Sequence, residues 1–334
     1  MDEFALIRRY FTRPARRAVL GVGDDCALIA PRAGHELALS TDMLVEGRHF
    51  LHGTPPEDLG HKTLAVNLSD CAAVGAAPLY ALLAGALPDA DPQWLEAFSR
   101  GLFTLADRYG VELIGGDTTR GPLTLCVTIV GEVPAGGALL RGGAAPGDTV
   151  WVSGELGTAA AGLASLQGKL NLPAPQRAQA ITALQRPTPR VELGIALRGV
   201  ATSALDVSDG LLGDLGHILE RSAVGATIEL SQIPCAAWLR TLCVRHDQRD
   251  FALRCLLAGG DDYELCFTAP ASESQEVRAA GRAAGVAVTA IGQIVAGMEL
   301  TVRDERGNPL DCSKFHPFNH FSDESTVHDA QRAD

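Results

Sequence analysis

Short apolar runs alternate along the chain with longer stretches in which apolar residues recur at helical spacing. This alternation predicts mixed α/β structure arranged in layers. In the first half, strands are predicted at residues 37–39, 79–87, 112–114 and 123–133. In the second half, strands are predicted at 149–153, 204–207, 255–258 and 265–267, and helices at 158–167 and 211–221.

The stretch between Asp91 and Gly110 carries a complete set of helix signals. Asp91 and Pro92 form a typical helix start, because Asp can cap the first turn of a helix and Pro is tolerated at its first position. Gly110 provides the usual stop. The expected buried face consists of Leu95, Phe98, Leu102, Leu105 and Tyr109. We therefore predict one amphipathic helix here.

Residues 71–88 contain no charged side chain and are long enough to resemble a membrane span. Gly75, Pro78 and Gly85 interrupt the run, and many of its residues are Ala. A buried helix end, a turn at Pro78 and a buried strand explain this composition better than a membrane span does. We expect no membrane association.

Residues 134–148, which read PAGGALLRGGAAPGD, are dense in Gly and Pro and lie just before a predicted strand. Such a segment is typical of a domain boundary. We predict an N-terminal α/β domain over residues 1–137 and a C-terminal α/β domain over 148–321. The polar residues 322–334 are expected to form a frayed tail.

Composition excludes several classes of function. Among 334 residues, 40 Asp and Glu outnumber 28 Lys and Arg, so a net charge of −12 opposes nucleic-acid binding. The eight cysteines form no C-x-x-C pair and lie mostly in apolar runs, which indicates reduced core thiols. Residues 1–17 contain no apolar stretch typical of a secretory signal. We expect a cytoplasmic protein.

Several aspartates stand just where the predicted apolar elements end, usually beside Gly, Ser or Thr. They are Asp24, Asp25, Asp42, Asp70, Asp117, Asp206 and Asp209. Any one of them could be a turn residue or helix cap, and Asp24 and Asp214 could be only that. Together they suggest a site for cations, because a buried carboxylate without a partner costs several kcal/mol. Carboxylates near Gly-rich turns fit several Mg²⁺ ions and a nucleotide.

Other phosphate-binding and hydrolytic motifs do not fit this sequence. Residues 162–170 have the wrong spacing for a Walker loop, and no Ser or Thr follows Lys169. The sequence contains no H-R-D, H-E-x-x-H or G-x-S-x-G motif, and no G-x-G-x-x-G motif after a strand. Phosphoryl chemistry would therefore use a different scaffold.

An ordered set of motifs resembles the thiamine-monophosphate kinase family over residues 2 to about 321. The motifs are GVGDDCALI, ALSTDMLVEGRHF, AVNLSDCAAVGA, LIGGDTTRG, LDVSDGLLGDL and AGGDDYELCF. The resemblance implies a two-domain α/β fold like that of aminoimidazole ribonucleotide synthetase, dimerising through the N-terminal sheet. It also implies ATP-dependent, Mg²⁺-dependent phosphorylation of thiamine monophosphate to thiamine diphosphate.

The resemblance also implies residue roles. Contacts with Mg²⁺ would come from Asp25, Ser40, Thr41, Asp42, Asp70, Asp117, Asp206 and Asp209. Gly116, Asp117, Arg141 and Ser208 would contact ATP, and His49, Asp261 and Phe318 would contact thiamine monophosphate. The family often has Glu at position 261 and Tyr or Trp at position 318, so this chain keeps the charge and the aromatic ring.

The substrate phosphate would itself be the nucleophile in this reaction. We therefore expect no protein nucleophile or general base, and a direct in-line transfer. Two alternatives stay open from the residues. One is another ATP-dependent enzyme of the superfamily, a ring-closing synthetase or a selenophosphate synthetase. The other is a nucleotide-binding protein without turnover.

Overall fold

A computed structural model describes residues 2–316 of the chain. The first sheet has the strand order β1-β4-β2-β3. Its strands are β1 (His35–Val45), β2 (Ala77–Leu87), β3 (Glu112–Arg120) and β4 (Thr124–Pro134). Strand β4 pairs antiparallel with both β1 and β2, whereas β2 and β3 are parallel.

Two long helices pack against one face of this sheet, namely α2 (Pro56–Ala73) and α3 (Pro92–Tyr109). They follow the short helix α1 (Glu3–Leu6) and a π-helical turn, Ile7–Phe11. Helices α2 and α3 approach closely through two glycines. A Cβ atom on Gly60 would lie 2.1 Å from the Phe98 carbonyl oxygen, and one on Gly101 would lie 1.9 Å from that of Glu57.

The second sheet has the order β10-β7-β9-β5-β8-β6. Its strands are β5 (Thr149–Ser153), β6 (Ser203–Val207), β7 (Gly225–Glu229), β8 (Glu264–Ala269), β9 (Val288–Val295) and β10 (Leu300–Arg303). Strands β7 and β10 are parallel, and the other neighbours are antiparallel.

Helices surround the second sheet and lie between the two halves. They are α4 (Thr158–Leu166), α5 (Ala174–Gln185), α6 (Val191–Ala196), α7 (Leu211–Ser222), α8 (Ala237–Val244), α9 (Arg249–Ala258) and α10 (Ser274–Ala284). Helix α2 contacts β6, β8 and α6, so it joins the two sheets. One core cluster accordingly contains Leu68 of α2 together with Leu265 and Phe267 of β8. One face of α2 therefore packs against the second half of the chain.

The two faces of the first sheet have different surroundings. One face, with Ser40, Asp42 and Leu44 of β1, turns toward α2. The other, which we call the open face, carries Leu39, Thr41 and Met43 on β1, Ala84 on β2 and Asp117 on β3. Leu39 is 66% exposed and Met43 is 54% exposed. Residues 18–29 cover only the far end of this face, around Tyr80 and Val130.

Most predicted elements are confirmed, and the helix between Asp91 and Gly110 is the closest match. The Asp91 side chain accepts a hydrogen bond from the Gln93 N–H, and Gly110 ends α3 at φ 67°. Residues 149–153 form β5 as predicted. The mixed α/β class is also confirmed. No helix within residues 2–316 is long and apolar enough to cross a membrane.

Three local predictions were wrong. Residues 255–258 belong to helix α9, because four apolar residues cannot distinguish a buried strand from a buried helix end. The turn lies at Val74 and Gly75, whereas Pro78 lies inside β2, where the pairing with β4 shifts register. Asp42, Asp70 and Asp117 lie within β1, α2 and β3 and not at the ends of elements.

Candidate active site

Four of the predicted aspartates face one another where the two halves meet. Asp42 comes from β1, Asp70 from α2, Asp206 from β6 and Asp209 from the loop before α7. Burial, followed by repulsion from the other three carboxylates, raises the pKa of Asp42 to about 7. Burial and the charge of Asp70 likewise raise the pKa of Asp206 to about 7. We call these four residues the acid cluster.

Neutral polar side chains from the first half hold the acid cluster in place. The Ser40 hydroxyl donates to Asp70 over 2.5 Å, and the Ser69 hydroxyl donates to Asp206 over 2.7 Å. The Asn67 side chain accepts the Asp42 N–H over 3.3 Å. The two hydroxyls and the Asn67 amide position these residues without neutralising their charges, which leaves a concentration of negative charge at the domain junction.

Asp214 has a different role from its neighbours in the LDVSDGLLGDL motif. One of its carboxylate oxygens accepts hydrogen bonds from the N–H groups of Ser208, Asp209 and Gly210, each at 3.0 Å. Gly210 adopts φ 116°, where a Cβ atom would lie 2.7 Å from Ala258. Asp214 therefore shapes the loop that carries Asp209. This agrees with the prediction that Asp214 could be only a turn residue or helix cap.

Two cavities flank the acid cluster. The first, of about 740 Å³, contains Arg141 and is called the Arg141 cavity. Its lining includes Ala38, Ser40, Asp70, Leu139, Asp206 and Arg221. Burial raises the pKa of Asp70, and the Ser40 hydrogen bond and the charge of Arg141 partly oppose this shift. This cavity combines an apolar wall, two guanidinium groups and one side of the acid cluster.

The second cavity, of about 760 Å³, is called the His49 cavity. Its lining includes Asp42, His49, Ser208, Asp209, Asp261 and Tyr263, and also the cations Arg48, Lys169 and Arg254. The His49 ring accepts the Val45 N–H at Nδ1 over 3.0 Å, so a neutral His49 carries its proton on Nε2. The acid cluster thus lies at the border between two cavities of similar size.

The loop that follows α9 supplies the far wall of the His49 cavity. Asp261 and Tyr263 adopt left-handed backbone angles, with φ 68° and 50°. The loop is held to the end of β6, because the Asp261 N–H donates to the Ser208 carbonyl over 2.9 Å. The Asp261 carboxylate also lies 2.7 Å from the ammonium of Lys62 on α2. Both halves of the chain therefore fix the position of Asp261.

The structure does not bring all the predicted residues together. Thr41 and Asp117 lie on the open face, where the Thr41 hydroxyl pairs with that of Thr128 at 2.8 Å. Asp25 lies in an exposed segment and donates its N–H to Asp24. Gly116 adopts φ 146°, and a Cβ atom there would lie 1.8 Å from the Leu83 carbonyl oxygen. Phe318 lies outside the described residues.

Sequence reasoning missed four side chains that organise this site. Ser69 and Asn67 hold the acid cluster, and Lys62 and Tyr263 contact Asp261. Lys62 and Asn67 had a detectable signal, because they are polar residues, like His61 and Thr63, within the mostly apolar residues 59–68. A charged or amide side chain in a buried helix usually has a specific partner.

The acid cluster fits Mg²⁺ by its chemistry. The donors are carboxylate and hydroxyl oxygens, and burial together with repulsion from neighbouring carboxylates raises the pKa of Asp42. Within residues 2–316, no three Asp, Glu, His or Cys side chains converge closely enough to enclose one ion. Mg²⁺ keeps several waters and is usually bound by one or two carboxylates together with substrate phosphates.

Comparison with known proteins shows matches over nearly the whole chain. Residues 23–133 match the N-terminal domain of AIR synthase related proteins, and residues 145–305 match the C-terminal domain. A thiamine-monophosphate kinase of Escherichia coli strain K12 is 48% identical over 322 residues. These residues cover 95% of this chain and 98% of that protein.

Two solved structures have the same architecture. The crystal structure of thiamine-monophosphate kinase from Stenotrophomonas maltophilia is 48% identical, with a TM-score of 0.81, and covers 90% of this chain and 96% of the other. The structure of AaThiL complexed with AMPPCP and TMP is 31% identical, with a TM-score of 0.76. That match covers 87% of this chain and 89% of AaThiL.

Proposed function

The chain belongs to the thiamine-monophosphate kinase family, and we propose that it transfers the γ-phosphoryl group of ATP to thiamine monophosphate, forming thiamine diphosphate and ADP. The observation that carries this proposal is the acid cluster at the border of two cavities. A kinase that joins two phosphate-bearing molecules needs two neighbouring sites and cations between them. AaThiL, which has the same fold, was solved with two ligands, AMPPCP and TMP.

We assign ATP to the Arg141 cavity and thiamine monophosphate to the His49 cavity. The Arg141 guanidinium can form two parallel hydrogen bonds with a phosphate group, and the apolar wall suits a flat base. Ser208 lies beside Asp209, so it would meet the phosphate end of ATP. Gly116 would contact ATP through its backbone. His49, Asp261 and Phe318 would contact thiamine monophosphate.

The residues of the acid cluster would hold Mg²⁺, with the Ser40 hydroxyl beside them. Bound Mg²⁺ would neutralise the charges of the two phosphate-bearing substrates and the charge that develops during transfer. We keep Asp25, Thr41 and Asp117 as proposed Mg²⁺ contacts, although they lie on the side of the open face.

Transfer requires no protein nucleophile or general base. The acceptor phosphate oxygen is already anionic, so it can attack the γ-phosphorus directly. The chain contributes positioning: Arg141 orients the donor on one side of the acid cluster, and His49 and Asp261 orient the acceptor on the other. The proposed result is one in-line step between neighbouring cavities.

The experiment that tests this function incubates the purified protein with ATP, Mg²⁺ and thiamine monophosphate and identifies products by mass. We expect equal amounts of ADP and thiamine diphosphate. Formation of ADP without thiamine diphosphate would indicate another reaction of the superfamily. Binding of ATP without any product would indicate a nucleotide-binding protein without turnover.

We also propose that the chain acts in the cytoplasm as a homodimer in which the open face meets a second copy. Leu39 and Met43 expose more than half of their surfaces there. An apolar sheet face of this kind is typical of an interface between subunits. Analytical ultracentrifugation should show a dimer, and replacing Leu39 and Met43 together with Lys should give a monomer. A monomeric wild-type protein would contradict the proposal.

A further inference from the structure

Lys62 is a buried cation on α2 beneath the His49 cavity. Its side chain is only 3% exposed. Its ammonium lies 2.7 Å from Asp261 Oδ1 and donates to the His49 carbonyl over 3.4 Å. A buried ammonium is strongly unfavourable unless it is paired and hydrogen-bonded, so its place is determined by these partners. Lys62 therefore joins the two described residues that are proposed to contact thiamine monophosphate.

The two partners come from different halves of the chain. His49 follows β1, whereas Asp261 belongs to the loop between α9 and β8. Asp261 holds a left-handed backbone angle that residues other than Gly seldom adopt. Its carboxylate also has a hydrogen bond with the Tyr263 side chain. A constrained backbone and two side-chain contacts thus set where the Asp261 carboxylate points.

We propose that Lys62 is a positioning residue for the acceptor substrate, an inference that rests on the proposed function. It holds the Asp261 carboxylate and the His49 backbone at a fixed separation across the junction of the two halves. It also balances the charge of Asp261. The carboxylate then serves the substrate as a hydrogen-bond acceptor for a neutral donor, such as the amino group of the aminopyrimidine ring.

The test compares Lys62→Met with Arg186→Met as a matched control. Arg186 also pairs with an acid on α2, Asp58 at 2.9 Å, but it lines neither cavity. We expect Lys62→Met to raise KM for thiamine monophosphate about tenfold and to leave KM for ATP within about twofold. Arg186→Met should leave both KM values near those of the wild type.

Asp261→Asn and the double variant Lys62→Met/Asp261→Asn complete a mutant cycle. Asn keeps an acceptor oxygen and removes the charge. If Lys62 acts through Asp261, adding Lys62→Met to Asp261→Asn should change KM for thiamine monophosphate less than about twofold. The two variants that carry Asp261→Asn stay informative if Lys62→Met alone fails to fold, because the double variant leaves no unpaired buried charge. A change in KM for thiamine monophosphate well above twofold between them would overturn the inference.

A lower melting temperature with both KM values unchanged would overturn the inference, since it would make Lys62 only structural. Fully additive effects of the two substitutions would overturn it as well. The activity of the wild-type enzyme distinguishes failure of the inference about Lys62 from failure of the proposed function. Absence of thiamine diphosphate formation by the wild type would reject the proposed function itself.

Discussion

Two groups of buried or half-buried acids lie near one another, and their partners differ. Around the loop that ends α9, each acid has a partner in the chain. Asp261 pairs with Lys62, Asp262 accepts the Gly157 N–H at the start of α4 over 2.7 Å, and Glu264 forms an ion pair with Arg190. In the acid cluster, by contrast, carboxylates face other carboxylates.

The difference shows that burial of an acid does not by itself indicate function. Burial raises the pKa of Asp262 well above its usual value, although Asp262 has a structural role at a helix start. The surroundings distinguish the two groups. Acids with complete partners stabilise the fold, whereas Asp42, Asp70 and Asp206 concentrate a negative charge that a bound cation can balance.

The largest effect should come from removing one charge of the acid cluster. We expect Asp42→Asn to lower kcat about 10³-fold while the protein stays folded, because an amide cannot supply the charge that holds Mg²⁺ against the phosphates. Steady-state kinetics and circular dichroism measure the two outcomes. Asp107→Asn, at an exposed ion pair with Arg13, is the control and should retain wild-type kcat. A folded Asp42→Asn enzyme with nearly normal kcat would refute the distinction between the two groups.

The second prediction concerns an acid that has its partner. Arg190 donates to Glu264, which also accepts the Ser153 hydroxyl, so Arg190→Met leaves a carboxylate that is only 7% exposed without its cation. We expect the free energy of unfolding to fall by about 3 kcal/mol. Both KM values should stay near wild type at temperatures where the variant is folded. Urea denaturation and kinetics test this, and a selective rise in one KM would place Glu264 in the substrate site.

A smaller effect should appear in the pH dependence of stability. Without Mg²⁺, the pKa of Asp42 is about 7 in the folded protein, against 3.8 as the ordinary value. A raised pKa means that the folded state binds more protons, so stability present at low pH is lost as the pH rises toward 7. The quantity to compare is the fall in melting temperature between pH 5 and pH 8 in EDTA. We expect this fall to be about 3 °C larger in the wild type than in Asp42→Asn.

Added Mg²⁺ should remove most of that difference, because a bound cation replaces the protons. Differential scanning fluorimetry at several pH values, with EDTA or with Mg²⁺, provides the comparison. Equal pH dependence of the melting temperatures of the two proteins in EDTA would show that folding does not raise the pKa of Asp42.

The sequence predicted the acid cluster because aspartates beside Ser, Thr and Gly recur in its motifs. It also predicted α3 well, since Asp91, Pro92 and Gly110 act locally. The division of Asp42 and Asp117 between two faces of one sheet could not be predicted. That division depends on the register of four strands and on a shift between β2 and β3.

The pairing of Lys62 with Asp261 was hidden for a similar reason. The two residues are far apart in sequence and meet only because α2 packs against the second sheet. Local signals also misled the assignment of residues 255–258, whose apolar side chains suit a strand as well as the buried face of α9. Long-range packing decided each of these features.

Direct transfer across the border between the two cavities has a defined stereochemical consequence at phosphorus. The measurement uses ATP with a chiral thiophosphate at the γ position and determines the configuration of the thiamine diphosphate analogue that forms. A single in-line transfer predicts inversion. Retention of configuration would require two transfers through a protein nucleophile and would rule out direct transfer.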